Sequence, residues 1–178
     1  MIKGQITIVT EKPDASKKIA EALAEKGTLE KFTNEENVTY YEFERDGKKH
    51  IVVCAVGHLF NLTPVKKGGG WSYPIFDAEW KPSFEVRKES AFSKKYFDVM
   101  QTLIKDASDF VVATDYDTEG SVIGYNVLRF LGGVKDGRRM KFSTLTKDEL
   151  IESYNTMSKH LDIPQIETGL TRHMLDWI

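Results

Sequence analysis

The residues whose types and spacing best suit chemistry are Asp115, Asp117 and Glu119, in the run Asp115-Tyr116-Asp117-Thr118-Glu119-Gly120. An extended backbone points side chains two apart to the same side, so the three acids would share one face. Carboxylates gathered in this way repel one another and shift one another's pKa until a cation neutralises them. Hard oxygen ligands at the carboxyl end of a parallel sheet suit Mg2+. Glu11, in Thr10-Glu11-Lys12-Pro13 just past another strand-like segment, would face the same end of the sheet if the two strands are parallel. There it would be a fourth ligand or a general acid. Lys12 beside it is placed to stabilise charge on a phosphate oxygen. The set reads as a divalent-metal site for phosphodiester chemistry on nucleic acid.

Other meanings of the acidic run fit less well. A solvated loop is the commoner meaning of an isolated pair of alternating aspartates, but here the acids follow directly on the apolar run Phe110–Thr114. A calcium EF-hand begins with the same pattern, yet it needs a helix before the loop and a closing bidentate acid where Asn126 stands. An aspartyl-phosphate phosphatase has Thr two residues after the second Asp, the place that Glu119 takes.

The elements that must position these residues follow from periodicity. Gln5–Thr10 is a β-branched strand, and Asp14 after Pro13 is the expected N-cap of a helix with Ile19, Ala22 and Leu23 on its apolar face. Thr39–Arg45 and Ile51–Val56 flank the turn dipeptide Asp46-Gly47 and predict a hairpin. Gly57-His58-Leu59 breaks the second strand. From Pro64 to Pro82, three glycines and the aromatics Trp71, Tyr73, Phe76 and Trp80 show no period and predict an ordered loop. Residues 90–106 carry a helical stripe leading into the strand Phe110–Thr114, and another helix should run from near Gly120 through Phe130. After Gly132-Gly133 a short strand is expected at Met140–Phe142, and Thr146 with Glu149 predicts a capping box on the next helix. A last helix from Pro164 places Ile166, Leu170, Met174 and Trp177 on one face. It shows no C-cap before Ile178, as in a chain that ends inside an element. Alternating strands and helices, with strands apolar on both faces, predict a mainly parallel α/β sheet covered on both sides.

Bulk properties set the outer bounds. A length of 178 residues with 40% hydrophobic positions suits one compact domain. The lone Cys54 excludes a disulfide framework and a cysteine zinc site, and fits a reducing, intracellular setting. No leader-like N-terminus and no apolar run near the ~20 residues that span a bilayer is present, so a soluble protein without a membrane partner is expected. With 25 basic and 27 acidic residues the net charge is −2, which does not suit coating DNA by charge alone. Basic residues do cluster near the acids, as Lys12, Lys17 and Lys18 and as Lys135, Arg138, Arg139 and Lys141. Basic runs of this kind are most often solvated surface.

Taken together, these segments resemble the Toprim domain of type IA DNA topoisomerases, closest to the archaeal branch. The matching segments are Thr10 through Pro13, Gly57-His58-Leu59, Ala113 through Gly120 with Ile123, Arg139 through Phe142 followed by Thr146, and Arg172 with Asp176. They occur in family order across nearly the whole chain. The resemblance implies an α/β Toprim (Rossmann-like) domain over residues 1–160, with residues 161–178 starting the next, helical domain. It implies Mg2+, or Mn2+, held by Glu11, Asp115, Asp117 and Glu119. Glu11 would handle the proton of the leaving 3′ oxygen, and Lys12 would stabilise the scissile phosphate. Arg139, His58 and Arg172 would contact DNA or hold the site together.

Single-stranded segments of negatively supercoiled DNA and the remainder of the topoisomerase chain are the implied partners, and the cytoplasm, on the chromosome, the implied location. Two departures stand out. Thr118 replaces the Arg that many relatives carry, and none of the seven tyrosines has the context of the strand-cleaving one. Tyr73-Pro74 lacks the basic and hydroxyl residues expected after it, so this chain should not cleave DNA alone. A stand-alone Toprim nuclease or primase-like protein is the alternative enzyme, and a module whose acids hold only a structural ion is the non-enzymatic one. Reverse gyrase would share the motifs but have a helicase module upstream, which is not expected if Met1 is the natural start.

Overall fold

The computed structural model describes residues 4–65 and 73–178. In chain order the elements are β1 (Gln5–Thr10), α1 (Pro13–Leu23), β2 (Glu30–Thr33), β3 (Thr39–Arg45), β4 (Lys48–Cys54), β5 (Phe60–Pro64), β6 (Ala78–Pro82), α2 (Ser83–Val86), α3 (Ser93–Ile104), β7 (Ala107–Val112), α4 (Thr118–Val127), β8 (Arg138–Arg139), α5 (Lys147–Asn155) and α6 (Ile163–Leu175). Six strands form one sheet in the order β2-β3-β4-β1-β7-β8. The pairs β4-β1, β1-β7 and β7-β8 are parallel, and the β2-β3-β4 edge is antiparallel. The mainly parallel α/β architecture expected from the sequence is therefore present.

The apolar strands explain the layering. Alternate residues point to opposite faces, so Ile6, Ile8, Val52 and Val111 enter one core with Ile19 and Leu23 of α1 and Leu150 of α5. Val9, Val53, Phe110 and Val112 enter the other, with Met100 and Ile104 of α3, Ile123 and Val127 of α4 and Ile166 of α6. A strand buried on both faces needs no polar alternation. Among the described residues, no helix is long and apolar enough to cross a membrane.

Several local expectations are corrected. Lys12, not Asp14, is the N-cap of α1; Pro13 opens the helix and Asp14 stands in its first turn, where a negative charge favours the helix dipole. The hairpin forms with Asp46 and Gly47 at positive φ, 51° and 69°, but its second strand starts at Lys48 rather than Ile51. Ala78–Pro82, inside the expected loop, pairs with β5 as a small antiparallel sheet, while the three glycines and Trp71 of that stretch lie outside the described residues. The strand expected at Met140–Phe142 is two residues earlier, at β8. Thr146 caps α5 only by its backbone position: Glu149 reaches past it, accepting hydrogen bonds from the Ser143 and Thr144 N–H groups. The last helix ends at Leu175, with Asp176 as its C-cap.

Candidate functional site

Register gathers the site. Thr10 at the end of β1 pairs with Cys54 at the end of β4, and Val9 pairs with Val112 at the end of β7. Backbone bonds extend the ladder one residue further: Ala55 N–H donates to Thr10 O at 2.9 Å and Ala113 N–H to Val9 O at 2.8 Å. Three parallel strands thus finish level, and the segments carrying Glu11, His58 and Asp115 leave the same sheet edge, where open α/β sheets bind ligands.

The acidic run departs from the extended geometry expected of it. β7 stops at Val112, and Asp117 becomes the N-cap of α4, its Oδ1 accepting from Gly120 N–H at 2.7 Å. Gly120 is required by this tight turn, since a Cβ there would lie 2.2 Å from Asp115 O. With Glu119 already on the first helical turn, the three carboxylates do not line one extended face. They divide into two groups.

The first group holds Glu11, Lys12, Asp115 and Asp117. Lys12 Nζ is ion-paired with Asp115 Oδ2, and both side chains are largely exposed. Burial, then the Asp115 charge, with a smaller push from Asp117, raises the Glu11 pKa above the usual carboxylate range against the opposing pull of Lys12. Asp115 in turn holds the Lys12 pKa above its ordinary value. An open cleft of about 540 Å3 adjoins these groups, lined in part by Lys12, Asp115, Tyr116 and Lys141.

The second group centres on Glu119. Its Oε2 accepts from His58 Nε2 at 3.0 Å and from His173 Nε2 at 3.1 Å, while Arg172 Nη1 lies 3.9 Å from Oε1. Among the described residues, His58, Glu119 and His173 are the group of three potential ligands whose atoms all lie within 4.8 Å of one another. Burial, then the neighbouring His173, lowers the His58 pKa despite the opposing Glu119 carboxylate. Val56 (φ 49°) and Gly57 (φ 83°) both adopt left-handed backbone before His58. For a β-branched residue that conformation is strained and belongs where a side chain must be aimed. The same turn lets Gly57 N–H donate to Glu11 O at 3.3 Å, and Ser83 Oγ anchors His58 O at 2.6 Å.

Arg139 lies beneath the acidic loop rather than at the surface. It is 1% exposed, and its Nη atoms donate to the carbonyls of Val112, Thr114, Met140 and Asp115. Burial lowers its pKa to about 10, so it remains cationic at neutral pH. The sequence offered exposure, DNA contact or site support for this residue; its hydrogen bonds are those of support. Arg172 faces Glu119.

His173 was not among the residues singled out from the sequence. A signal was nonetheless present, because Gly169, one turn earlier on the same face of α6, is where another backbone approaches. A Cβ at Gly169 would lie 2.4 Å from Val122 Cγ2 and 3.1 Å from Thr118 O, so α6 sits close on α4 and carries His173 to Glu119.

The chain is similar to known proteins along nearly its whole length. Residues 6–145 match the Toprim domain family. DNA topoisomerase 1 of Pyrococcus furiosus is 44% identical over 174 residues, covering 97% of this chain and 16% of that protein. DNA topoisomerase 1 of Methanocaldococcus jannaschii is 42% identical over 172 residues, 96% of this chain and 22% of that protein. DNA topoisomerase 3 of Staphylococcus epidermidis is 29% identical over 96% of this chain and 23% of its own length. The chain spans less than a quarter of each of these three relatives. The solved structure of full-length topoisomerase I from Thermotoga maritima shares the fold, with a TM-score of 0.62 over 96% of this chain and 24% of its own, at 19% identity.

Proposed function

We propose that this chain, which belongs to the Toprim domain family, is the metal-binding part of an ATP-independent type IA DNA topoisomerase that relaxes negatively supercoiled DNA. One observation carries the reading: the Glu11-Lys12 pair and the Asp115/Asp117 pair leave adjacent parallel strands at one sheet edge and sense each other's charge. Toprim domains bind divalent metal, and the donor set here fits one. Glu11 is crowded by two like charges and by burial, a strain that a hard cation relieves.

We assign Mg2+, or Mn2+, to Glu11, Asp115, Asp117 and Glu119; Glu119 joins the others by exchanging its histidine partners. When bound, the ion supplies positive charge beside the scissile phosphate. Glu11 is the residue to which we assign giving a proton to the leaving 3′ oxygen and taking it back on resealing. Lys12 is exposed and swings from Asp115 to a phosphate oxygen. Arg139 keeps the acidic loop in place through its four carbonyls. His58 positions Glu119, and the exposed Arg172 reaches the DNA backbone.

The nucleophile is a tyrosine in the remainder of the enzyme. Its attack transfers the phosphoryl group to a 5′-phosphotyrosyl link and releases the 3′ hydroxyl. After another strand passes, that hydroxyl attacks the link and frees the tyrosine. The phosphodiester is conserved, so no nucleotide is consumed. In this reading residues 1–160 form the Toprim unit and residues 161–178 begin the next domain. The partners are single-stranded segments of supercoiled DNA, and the enzyme works in the cytoplasm on the chromosome.

The test is relaxation of negatively supercoiled plasmid by the product of the complete reading frame, with Mg2+ and without ATP. Relaxation lost in Glu11→Gln and a covalent 5′-linked intermediate support the reading. A reading frame encoding no tyrosine-bearing segment overturns it. Single-strand hydrolysis by this chain alone would replace it with a Toprim nuclease.

A further inference from the structure

We infer that His58, Glu119 and His173 form a second metal site, selective for a borderline, nitrogen-preferring divalent ion of the Zn2+ class and separate from the oxygen cluster around Glu11. Two imidazoles and one carboxylate are a set that Zn2+ and Co2+ favour and Mg2+ does not. The spacing suits it. In a tetrahedral site with bonds near 2.0–2.2 Å, neighbouring ligand atoms stand roughly 3.3 Å apart. Here both nitrogens lie 3.0 and 3.1 Å from one carboxylate oxygen, and all three ligand atoms fall within 4.8 Å of one another. Each of the two nitrogen–oxygen distances is within a few tenths of an ångström of that spacing.

The ligands are also held from three directions. His58 is fixed by the left-handed Val56-Gly57 turn and by Ser83, Glu119 by the first turn of α4, and His173 by the close approach of α6 at Gly169. Their side chains keep 22–39% exposure, leaving an open coordination position for water. Arg172, 72% exposed and 3.9 Å from the other Glu119 oxygen, has room to move aside. An ion here holds Glu119 away from Asp115 and Asp117, so occupancy would oppose Mg2+ binding by the full acidic set. That consequence rests on the proposed function; the binding itself does not.

Co2+ titration of this chain in Mg2+-free buffer tests the binding with no topoisomerase assay involved. One equivalent should produce the intense visible bands of a nitrogen-ligated four-coordinate ion, and Zn2+ should displace it. His58→Gln and His173→Asn should weaken Co2+ binding by more than about 100-fold, beyond what an outer-sphere partner costs. Glu11→Gln and Asp115→Asn should keep the bands. No bands in the unmutated chain, or bands that survive both histidine changes, overturn the site. If a histidine variant loses its circular dichroism, the unmutated Co2+ form decides instead. Paramagnetically shifted imidazole signals from His58 and His173 support the site, and shifts confined to His50 or His160 refute it.

Discussion

Two clusters flank the N-terminus of α4 and are built on different terms. Glu11, Lys12, Asp115 and Asp117 hang from the ends of β1 and β7, neighbouring strands whose register is set by the core. Glu119, His58 and His173 come from a helix, a strained turn after β4 and a second helix about fifty residues further along. The first cluster is mostly solvated and mutually repulsive, and Arg139 buttresses it from below. The second is already hydrogen-bonded, each imidazole joined through Nε2 to one carboxylate, although His58 Nδ1 is buried without a partner among the described residues. A repulsive site is completed by a cation, whereas a hydrogen-bonded one must give up those bonds to change. Glu119, which the sequence assigns to the first cluster and the structure places in the second, is where the two compete.

Removing the support of the first cluster should have the largest effect. Arg139→Met removes the guanidinium from four carbonyls, of which, among the described residues, Val112 O alone keeps a second donor, Met140 N–H, with an expected loss of about 3–5 kcal/mol in urea unfolding. Arg139→Lys should recover little of it, because an ammonium cannot span carbonyls that a planar fork reaches. An unchanged unfolding midpoint in Arg139→Met would mean that the acidic loop stands without its buttress, and the contrast between the clusters would lose its physical basis.

The second cluster has its own weak point. Gly169→Val pushes a branched side chain into Val122 Cγ2 and Thr118, at a cost of about 1–3 kcal/mol, and moves α6 with His173 away from Glu119. Co2+ binding should be lost while affinity for Mg2+ holds or rises, both read by titration calorimetry. Parallel loss of the two ions would show that the clusters are a single site.

What the sequence revealed follows the same division. The strands that lead to Glu11 and Asp115 were legible because apolar runs mark buried strands, although β7 is Ala107–Val112 rather than Phe110–Thr114, and Asp46-Gly47 announced its hairpin. β2 was not legible, since Glu30–Thr33 is a mostly exposed edge strand with no apolar face. β6, Ala78–Pro82, does alternate, but its five residues lay hidden in a longer aromatic segment read as one loop. The direction of Glu119 was misread because alternation holds only while the backbone stays extended, and Asp117 had already capped a helix. His173 depends on a helix–helix approach, a tertiary fact that Gly169 hints at but does not specify.

A smaller effect separates electrostatics from stability in the first cluster. Lys12→Ala removes an exposed ion pair and should change folding by less than about 1 kcal/mol. It also frees Asp115 of a competing cation, so Mg2+ affinity should rise in the variant even as the proposed phosphate contact disappears. Weaker Mg2+ binding would mean that Lys12 organises Asp115 rather than occupying it.

The smallest expected effect uses the two histidines tied to one strand, His50 near the start of β4 and His58 just past its end. Both have lowered pKa values, and burial is the leading cause in each. Their partners differ, since His58 faces a carboxylate while His50 faces neutral groups, Tyr154 Oη at 2.6 Å and Lys48 O at 3.0 Å. The Lys48 carbonyl accepts from Nδ1–H, which leaves Nε2 to accept from the tyrosine hydroxyl, and this neutral ring is fully satisfied. A proton added in acid meets the nearby Arg45 and Arg138 cations, against which the Asp46 carboxylate is the weaker influence. In the unfolded chain the same histidine titrates near 6.5, so below that pH the unfolded state binds more protons than the folded one. Stability therefore falls as pH drops from about 6.5 toward the depressed folded value, and is retained above it. His50→Gln, compared with the unmutated chain in urea at neutral pH and at pH about 5, should cost stability at neutral pH and show a shallower acid decline. A decline as steep as in the unmutated chain would move the acid sensitivity to the other end of β4, to His58 and the cluster that Glu119 shares.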